Sequence, residues 1–281
     1  MNIILIPIFN DWKSLNQLLF QINENADQND ITQILIINDC STKEIDIDRT
    51  HLGKIEKIKI LTLKQNLGSQ KSIALGLNYL KKLNSNFYVT IMDGDGEDNP
   101  SKIKQMIDLA KKNQDYVVTS NRKGRNENLL IKTSYKVHLV ACFFLTWNWI
   151  SFGNFSCFHS RNLKKILLNN NIWLAYSAGV LKNCKIKKIY TKRQKRYFEK
   201  SKVSFLNLIE HSLRILGVFY KRVLISSFFY LCVVIFFFPQ INYLFYFLIT
   251  VLNLTILFVR FKNLSTKPMN YKDYMKDLIK I

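Results

Sequence analysis

Cysteine is scarce and unpaired. Cys40, Cys142, Cys157, Cys184 and Cys232 are scattered and odd in number, and no two are spaced as CxxC. That argues against a disulfide framework and a cysteine zinc site, and fits a reducing compartment. His51, His138, His159 and His211 show no metal-ligand spacing. No internal repeat and no low-complexity tract occurs, which sets aside solenoids and long disordered arms. The first apolar run, residues 3–8, has no basic segment before it, contains Pro7 and stops at Asn10-Asp11. It is too short for a secretory signal and is expected to be a buried strand. Two further absences matter most. No charged residue occurs in 223–259, and no Asp or Glu lies between Glu127 and Glu199.

The chain has 281 residues, room for one domain of roughly 200 residues and an appendage. It carries 41 Lys+Arg against 20 Asp+Glu, a formal net charge of +21. Such an excess suits a polyanionic partner or an anionic membrane surface, or simply a lysine-rich solvated surface. Nucleic acid is the weakest of these readings, because no helix-turn-helix, zinc-finger or aromatic RNP pattern is present.

Apolar runs of strand length at 3–8, 34–37, 58–63, 87–92 and 116–119 alternate with helical spacing at 15–22, 71–83 and 103–110, the last opened by Pro100. Continuous apolar strands between helices imply an α/β fold with a mostly parallel sheet covered on both faces. Ligands of such sheets bind beyond the carboxyl ends of the strands. The polar clusters at 38–42 and 93–98 fall there.

The uncharged stretch is interrupted at Pro239-Gln240 and Asn242. It reads as two membrane helices, 223–238 and 241–259, since about 20 apolar residues suffice for one crossing. Lys221 and Arg222 precede it, and Arg260, Lys262 and Lys267 follow it. Positive flanks at both outer ends place both in the cytoplasm. Residues 204–220 are amphipathic. They suit either a helix lying on the membrane or one packed in the domain. The expected organisation is a cytoplasmic catalytic domain at 1–202, a juxtamembrane helix at 203–222, a transmembrane hairpin at 223–260 and a cytoplasmic tail at 261–281. That makes a multi-pass protein of the cell membrane.

Asp93-Gly94-Asp95-Gly96 after a strand places two carboxylates on a tight turn. Such a pair suits Mg2+ or Mn2+ bridging the phosphates of a nucleotide diphosphate. Alone, the pattern is weak. Its companions are Ile3–Asn10 with Asp11, Asn38-Asp39-Cys40-Ser41-Thr42, Asn66-Leu67-Gly68-Ser69-Gln70-Lys71, and the longer Met92–Pro100 segment. Together, and in this order, they resemble glycosyltransferase family 2. The resemblance is to its polyprenyl-phosphate branch, which includes dolichyl-phosphate mannose synthase, and it spans about residues 1–202.

The resemblance implies a nucleotide-sugar-binding domain of the GT-A type and an inverting, metal-dependent hexosyltransferase. Asp93, Asp95 and Arg196 carry the catalytic role, with Asp93 and Asp95 as metal ligands. Donor binding falls to Pro7, Asn10, Asp39, Lys71, Asp93, Arg196 and Lys202, with Asp39 accepting from the base. Acceptor phosphate binding falls to Arg122, Arg125, Ser160 and Arg161. Three positions depart from the pattern: Asn38 and Asn154 replace aspartates, and Glu199 replaces a glycine.

The acid-free stretch bears on the acceptor. A sugar hydroxyl needs a positioned base, whereas a phosphate is already an anionic nucleophile and needs cations. The expected partners are therefore a nucleotide-sugar, a polyprenyl phosphate and the membrane. A homo-oligomer is left open. Two other readings stay open: transfer to a hydroxyl of a lipid-linked or surface saccharide, with Glu97 or Asp98 as base, and a non-catalytic membrane-binding protein of the same fold.

Overall fold

A computed structural model of the chain describes residues 1–27, 30–83, 85–123, 129–198, 205–237, 240, 243–264 and 269–281; within these, the side chains of 122–123, 129–132, 134–135 and 205 are not described. Eight strands form one sheet: β1 (Asn2–Ile8), β2 (Thr32–Asn38), β3 (Ile55–Leu63), β4 (Tyr88–Ile91), β5 (Tyr116–Lys123), β6 (Phe152–His159), β7 (Lys185–Lys192) and β8 (Met275–Lys280). The helices are α1 (Trp12–Asn25), α2 (Ser69–Leu80), α3 (Ile103–Lys112), α4 (Leu129–Thr146), α5 (Leu163–Ile166), α6 (Tyr176–Asn183), α7 (Phe205–Val218), α8 (Tyr220–Phe237), α9 (Tyr243–Asn263) and α10 (Tyr271–Tyr274).

The strand order is β7-β5-β6-β4-β1-β2-β3-β8. Parallel pairing joins β4, β1, β2 and β3, and also β5 with β7. β6 runs antiparallel between β4 and β5, and β8 antiparallel on the β3 edge. Alternation explains how continuous apolar strands serve two cores. Ile3, Leu5, Leu35, Ile37, Leu61 and Leu63 face α2 and α6 on one side. Ile4, Ile6, Ile34, Ile36, Ile58 and Ile60 face α1 and α3 on the other. Each fully buried aliphatic side chain contributes about 1.5–3 kcal/mol relative to exposure. Burial on both faces therefore selects β-branched and leucine-rich runs without polar interruption.

Two expectations change. The segment 261–281, set apart as a tail, returns to the domain and contributes β8, whose Lys280 and Leu278 pair with Lys59 and Leu61. Its sequence, MKDLIK, has no apolar run because an edge strand buries little, and Lys276 and Lys280 suit an open edge. The second concerns α7. Leu206, Leu208 and Ile209 of its first turns are exposed, while Ile215, Leu216 and Val218 are buried with Ala175, Ala178 and Ile256. The helix is thus a domain helix at its C-terminal half and carries an outward apolar surface at the other.

Helices α8 and α9 are long and apolar enough to cross a membrane. Only 17% and 11% of their apolar windows are buried, so they are not the core pair of a soluble domain packed on all sides.

Gly76 lies where α2 crosses the sheet. A Cβ there would stand 2.6 Å from Leu5 Cδ1 and 3.0 Å from two Ile37 atoms. Gly76→Val should lower the unfolding free energy by about 1–3 kcal/mol through overpacking. Denaturant titration of the detergent-solubilised chain checks this, and an unchanged midpoint would contradict the packing described.

Candidate active site

The rim at the carboxyl ends of β1, β2 and β4 is built from tight, hydrogen-bonded turns. Asn10, with φ 59°, binds the loop after β2: its backbone N–H donates to Ser41 Oγ, and its Oδ1 accepts from the N–H groups of Thr42 and Lys43 at 2.8 and 3.1 Å. Asn38 is buried, accepts from Ser41 N at 3.0 Å and donates to Thr62 Oγ1. Pro7 is buried inside β1 opposite Ile37. These residues shape the rim.

Asp39 is buried and occupied. Its two carboxylate oxygens accept from Leu67 N at 2.8 Å and Gly68 N at 2.7 Å. Burial raises its pKa, opposed by those two donors and by Ser72 and Lys71. The described role of Asp39 is to hold the left-handed Gly68 turn (φ 85°) that starts α2.

The turn after β4 gathers four acids. Asp93 N donates to Asp98 Oδ2 at 3.2 Å, and Glu97 N donates to Asp95 Oδ1 at 3.0 Å. Two arginines from the segment after β7 lie across it. Arg196 reaches Asp95 Oδ2 at 2.7 Å and Glu97 Oε1 at 3.1 Å. Arg193 is ion-paired with Glu97 through Nη2, and its Nε donates to Oε2 at 2.9 Å. Tyr197 N donates to Asp95 O, and the Tyr197 ring lies against Gly96 (φ 86°), where a Cβ would come within 2.3 Å of it. Glycine is required there twice over, by backbone and by space.

A chain of amides supports Asp93. Tyr176 N donates to Gln70 Oε1 at 2.6 Å, Gln70 Nε2 to Asn154 Oδ1 at 3.2 Å, and Asn154 Nδ2 to Asp93 Oδ1 at 2.9 Å. Asn154 therefore replaces a carboxylate with a donor that the neighbouring Asp93 can accept. The fixed tail of this chain, a backbone N–H, sets the direction of every bond in it.

Several expected residues do not gather here. Ser160 and Arg161 sit at the opposite end of the sheet. β6 is antiparallel, so its last residue pairs with Tyr88 at the start of β4. There Ser160 N donates to Phe87 O, and Arg161 pairs with Asp115 at 3.1 Å and donates to Gln114. Their expected place among acceptor ligands is thereby corrected. Arg125 and Lys202 lie outside the described residues. So does the side chain of Arg122, whose backbone is at the end of β5. Gln70 is absent from the expected site residues and Glu97 is weighed there only as a base: their partners, Asn154 and Arg193, stand 84 and 96 positions away.

The family model of glycosyl transferase family 2 matches residues 3–171. The chain belongs to this family. A curated relative is the uncharacterized glycosyltransferase YkcC of Bacillus subtilis (strain 168), 27% identical over 145 residues. That match takes in 50% of this chain and 42% of the relative, so the chain spans less than half the length of that protein. Among solved structures, Mycobacterium tuberculosis glucosyl-3-phosphoglycerate synthase with Mn2+, UDP and phosphoglyceric acid aligns with a TM-score of 0.52 at 13% identity, over 79% of this chain and 78% of that one. S. aureus TarS 1-349 in complex with UDP-GlcNAc aligns with a TM-score of 0.49 at 14% identity, over 80% and 69%. The mycobacterial likeness supports the GT-A-like fold that the sheet order describes.

In this family-2 chain Asp93 and Asp95 are the carboxylates of the turn that would hold a divalent cation, which takes hard oxygen donors. Burial first, and the charge of Asp93 second, push the Asp95 carboxyl up to about 6. A dication would relieve both carboxylates. Among the described residues no group of three His, Cys, Asp or Glu side chains could hold a metal by protein ligands alone.

A signed expectation follows from Asp95. Its folded pKa lies above the ordinary carboxylate value, so bound protons favour the fold at low pH, and this contribution is lost as pH rises through about 6. In thermal melts of metal-free protein from pH 5 to 8, the wild type should lose stability relative to Asp95→Asn as pH rises through about 6. Parallel curves would remove the assignment.

Proposed function

We propose that this chain is an inverting glycosyltransferase that moves a sugar from a nucleoside-diphosphate-sugar to a polyprenyl phosphate at the cytoplasmic face of a membrane. One observation carries the choice of acceptor: the described carboxylates of the rim are all engaged. Asp93 accepts from Asn154, Asp95 from Arg196 and Glu97 N, Glu97 from two arginines, and Asp98 from Asp93 N. A hydroxyl acceptor needs one carboxylate free to take its proton, whereas a phosphate oxygen arrives deprotonated. Glu97 and Asp98, the two residues considered as such a base, are both committed to holding the turn.

Asp93 and Asp95 would hold Mg2+ or Mn2+, and the bound cation would neutralise the charge on the departing diphosphate. Arg196 faces the same leaving group from the segment after β7. The lipid oxygen attacks the anomeric carbon opposite the diphosphate, the C–O bond to the diphosphate breaks, and the nucleotide leaves with that electron pair. No proton has to be moved. Helices α8 and α9 would cross the bilayer as a hairpin, with α7 at the surface. Lys221, Arg222 and Arg260 would flank it on the cytoplasmic side. The mycobacterial synthase is seen in complex with Mn2+ and UDP, which is compatible with a UDP-sugar donor here.

The test is transfer of label from radiolabelled UDP- and GDP-sugars into the organic phase, with undecaprenyl phosphate and Mn2+ supplied. Membranes carrying the wild type should yield a metal-dependent, mild-acid-labile lipid product from one donor. Asp95→Ala should reduce this by at least about a hundredfold, the scale of a lost electrostatic contact to the reacting charge. Label that enters only saccharide hydroxyls would transfer the reading to a hydroxyl acceptor.

A further inference from the structure

We propose that α4 and the turn after it form a further membrane contact, an interfacial helix whose outer face ends in Phe143, Phe144, Trp147 and Trp149 and beds into the cytoplasmic surface of the bilayer. This rests on the reading that α8 and α9 cross the membrane, and adds a surface that the uncharged run at 223–259 does not include.

α4 is apolar on two sides. Leu139, Cys142 and Thr146, at i, i+3 and i+7, are buried, and Cys142 packs in one cluster with Ala178 of α6, Leu216 of α7 and Val223 of α8. The domain explains that face. The other face presents Val137, Val140 and Phe144, again at i, i+3 and i+7, and all three are exposed, as is the neighbouring Phe143. A helix between a domain and water carries polar residues on its outer side. The segment Lys136–Thr146 is instead an apolar helix with no Asp, Glu, Lys or Arg after Lys136.

Trp147 turns the chain at the end of α4. Its N–H donates to Phe143 O at 2.7 Å and its backbone is left-handed, with φ 58°. Glycine ordinarily takes that position at a helix end, and a bulky residue is strained there. The ring gains little from the protein in return: it is 55% exposed and lies 5.9 Å from the Arg222 guanidinium. Trp149 is also exposed, edge-on to Phe143 at 6.3 Å. A contiguous aromatic patch held open at the cost of backbone strain points to burial against something outside the chain.

Two hydrogen bonds fix the level of this patch. Arg222 Nη1 donates to Thr146 O at 3.3 Å, and the Tyr230 hydroxyl donates to Phe144 O at 3.0 Å. The end of α4 therefore packs along the first turns of α8, because the Tyr230 side chain leans back toward the start of its helix. Arg222 is the last charge before the uncharged run. If α8 spans, the headgroup region lies at Arg222 and the end of α4 lies there with it. Tryptophan beside arginine suits that layer. The charge agrees. Lys136, Lys221 and Arg222 are exposed, and no acid occurs from 128 to 198, which fits an anionic leaflet. A second copy of the chain would cover the same rings, but nothing would set them at the level where α8 loses its charges.

The chain has 4 tryptophans, of which Trp12 and Trp173 are buried in the domain. Lipid quenching of tryptophan emission from the full chain in liposomes therefore reads Trp147 and Trp149. With bromine on the upper acyl carbons of the lipid, wild-type emission should fall, and the double variant Trp147→Phe, Trp149→Phe should lose that fall. Phe144→Asp, at an exposed position, should weaken lipid quenching and strengthen quenching by acrylamide in the water, with an unchanged melting temperature as the check on folding. Emission quenched by acrylamide and not by brominated lipid, from a chain that resists alkaline carbonate extraction, would overturn the contact and leave the spanning helices standing. Release of the chain by carbonate would remove the spanning reading and this one together. Protection from both quenchers, with cross-linked dimers, would give the face to a second copy and overturn the proposal as well.

Discussion

The site depends on an ion cluster that joins two distant turns. Asp95 and Glu97 leave the end of β4, and Arg193 and Arg196 leave the end of β7, three strands away in the sheet. None of these four side chains is more than 28% exposed. The pairs are partly buried, so removing one partner leaves the other charge partly desolvated and lowers stability. The cluster holds the acidic turn in shape and brings the guanidinium of Arg196 to the carboxylate expected to bind the metal. The Tyr197 ring over Gly96 closes the same contact by shape.

A second constraint is the way the chain leaves the domain and comes back. α7 runs from the domain to α8, and after α9 the chain re-enters through α10 and β8. Lys64 N donates to Tyr274 O, and Tyr271 packs on α2 through Asn78 and Lys82. The apolar helix pair is therefore tied to the sheet at both ends. Two tethers orient a body where one would let it swivel, and here they hold α9 beside α7.

The amide chain shows why a departure from a familiar pattern need not be a defect. Asn154 in place of an acid would read as a missing catalytic group. In the fold its amide donates to Asp93, and its carbonyl is held by Gln70. A carboxylate there would add a third negative charge beside Asp93 and Asp95, whose mutual repulsion already raises the Asp95 pKa.

Much of this was legible in the residues themselves. The strands at 3–8, 34–37 and 58–63 were visible because burial on both sheet faces demands uninterrupted apolar runs. The two long helices were visible because residues 223–259 carry no charge. The 93–98 turn stood out as a rim element because paired acids and glycines follow a strand and come with the companion segments in order. Local composition thus determined the element types, the apolar helix pair and the acidic character of one turn. Tertiary structure alone decided the rest. It reversed β6 and so carried Ser160 and Arg161 away from the rim. It recovered β8 from a segment with no strand signal, because pairing with β3 supplies the hydrogen bonds its side chains do not advertise. It set Glu97 against Arg193 and Arg196. Charges a hundred positions apart have no relation in sequence, and only the order and direction of the strands bring them within reach of one another.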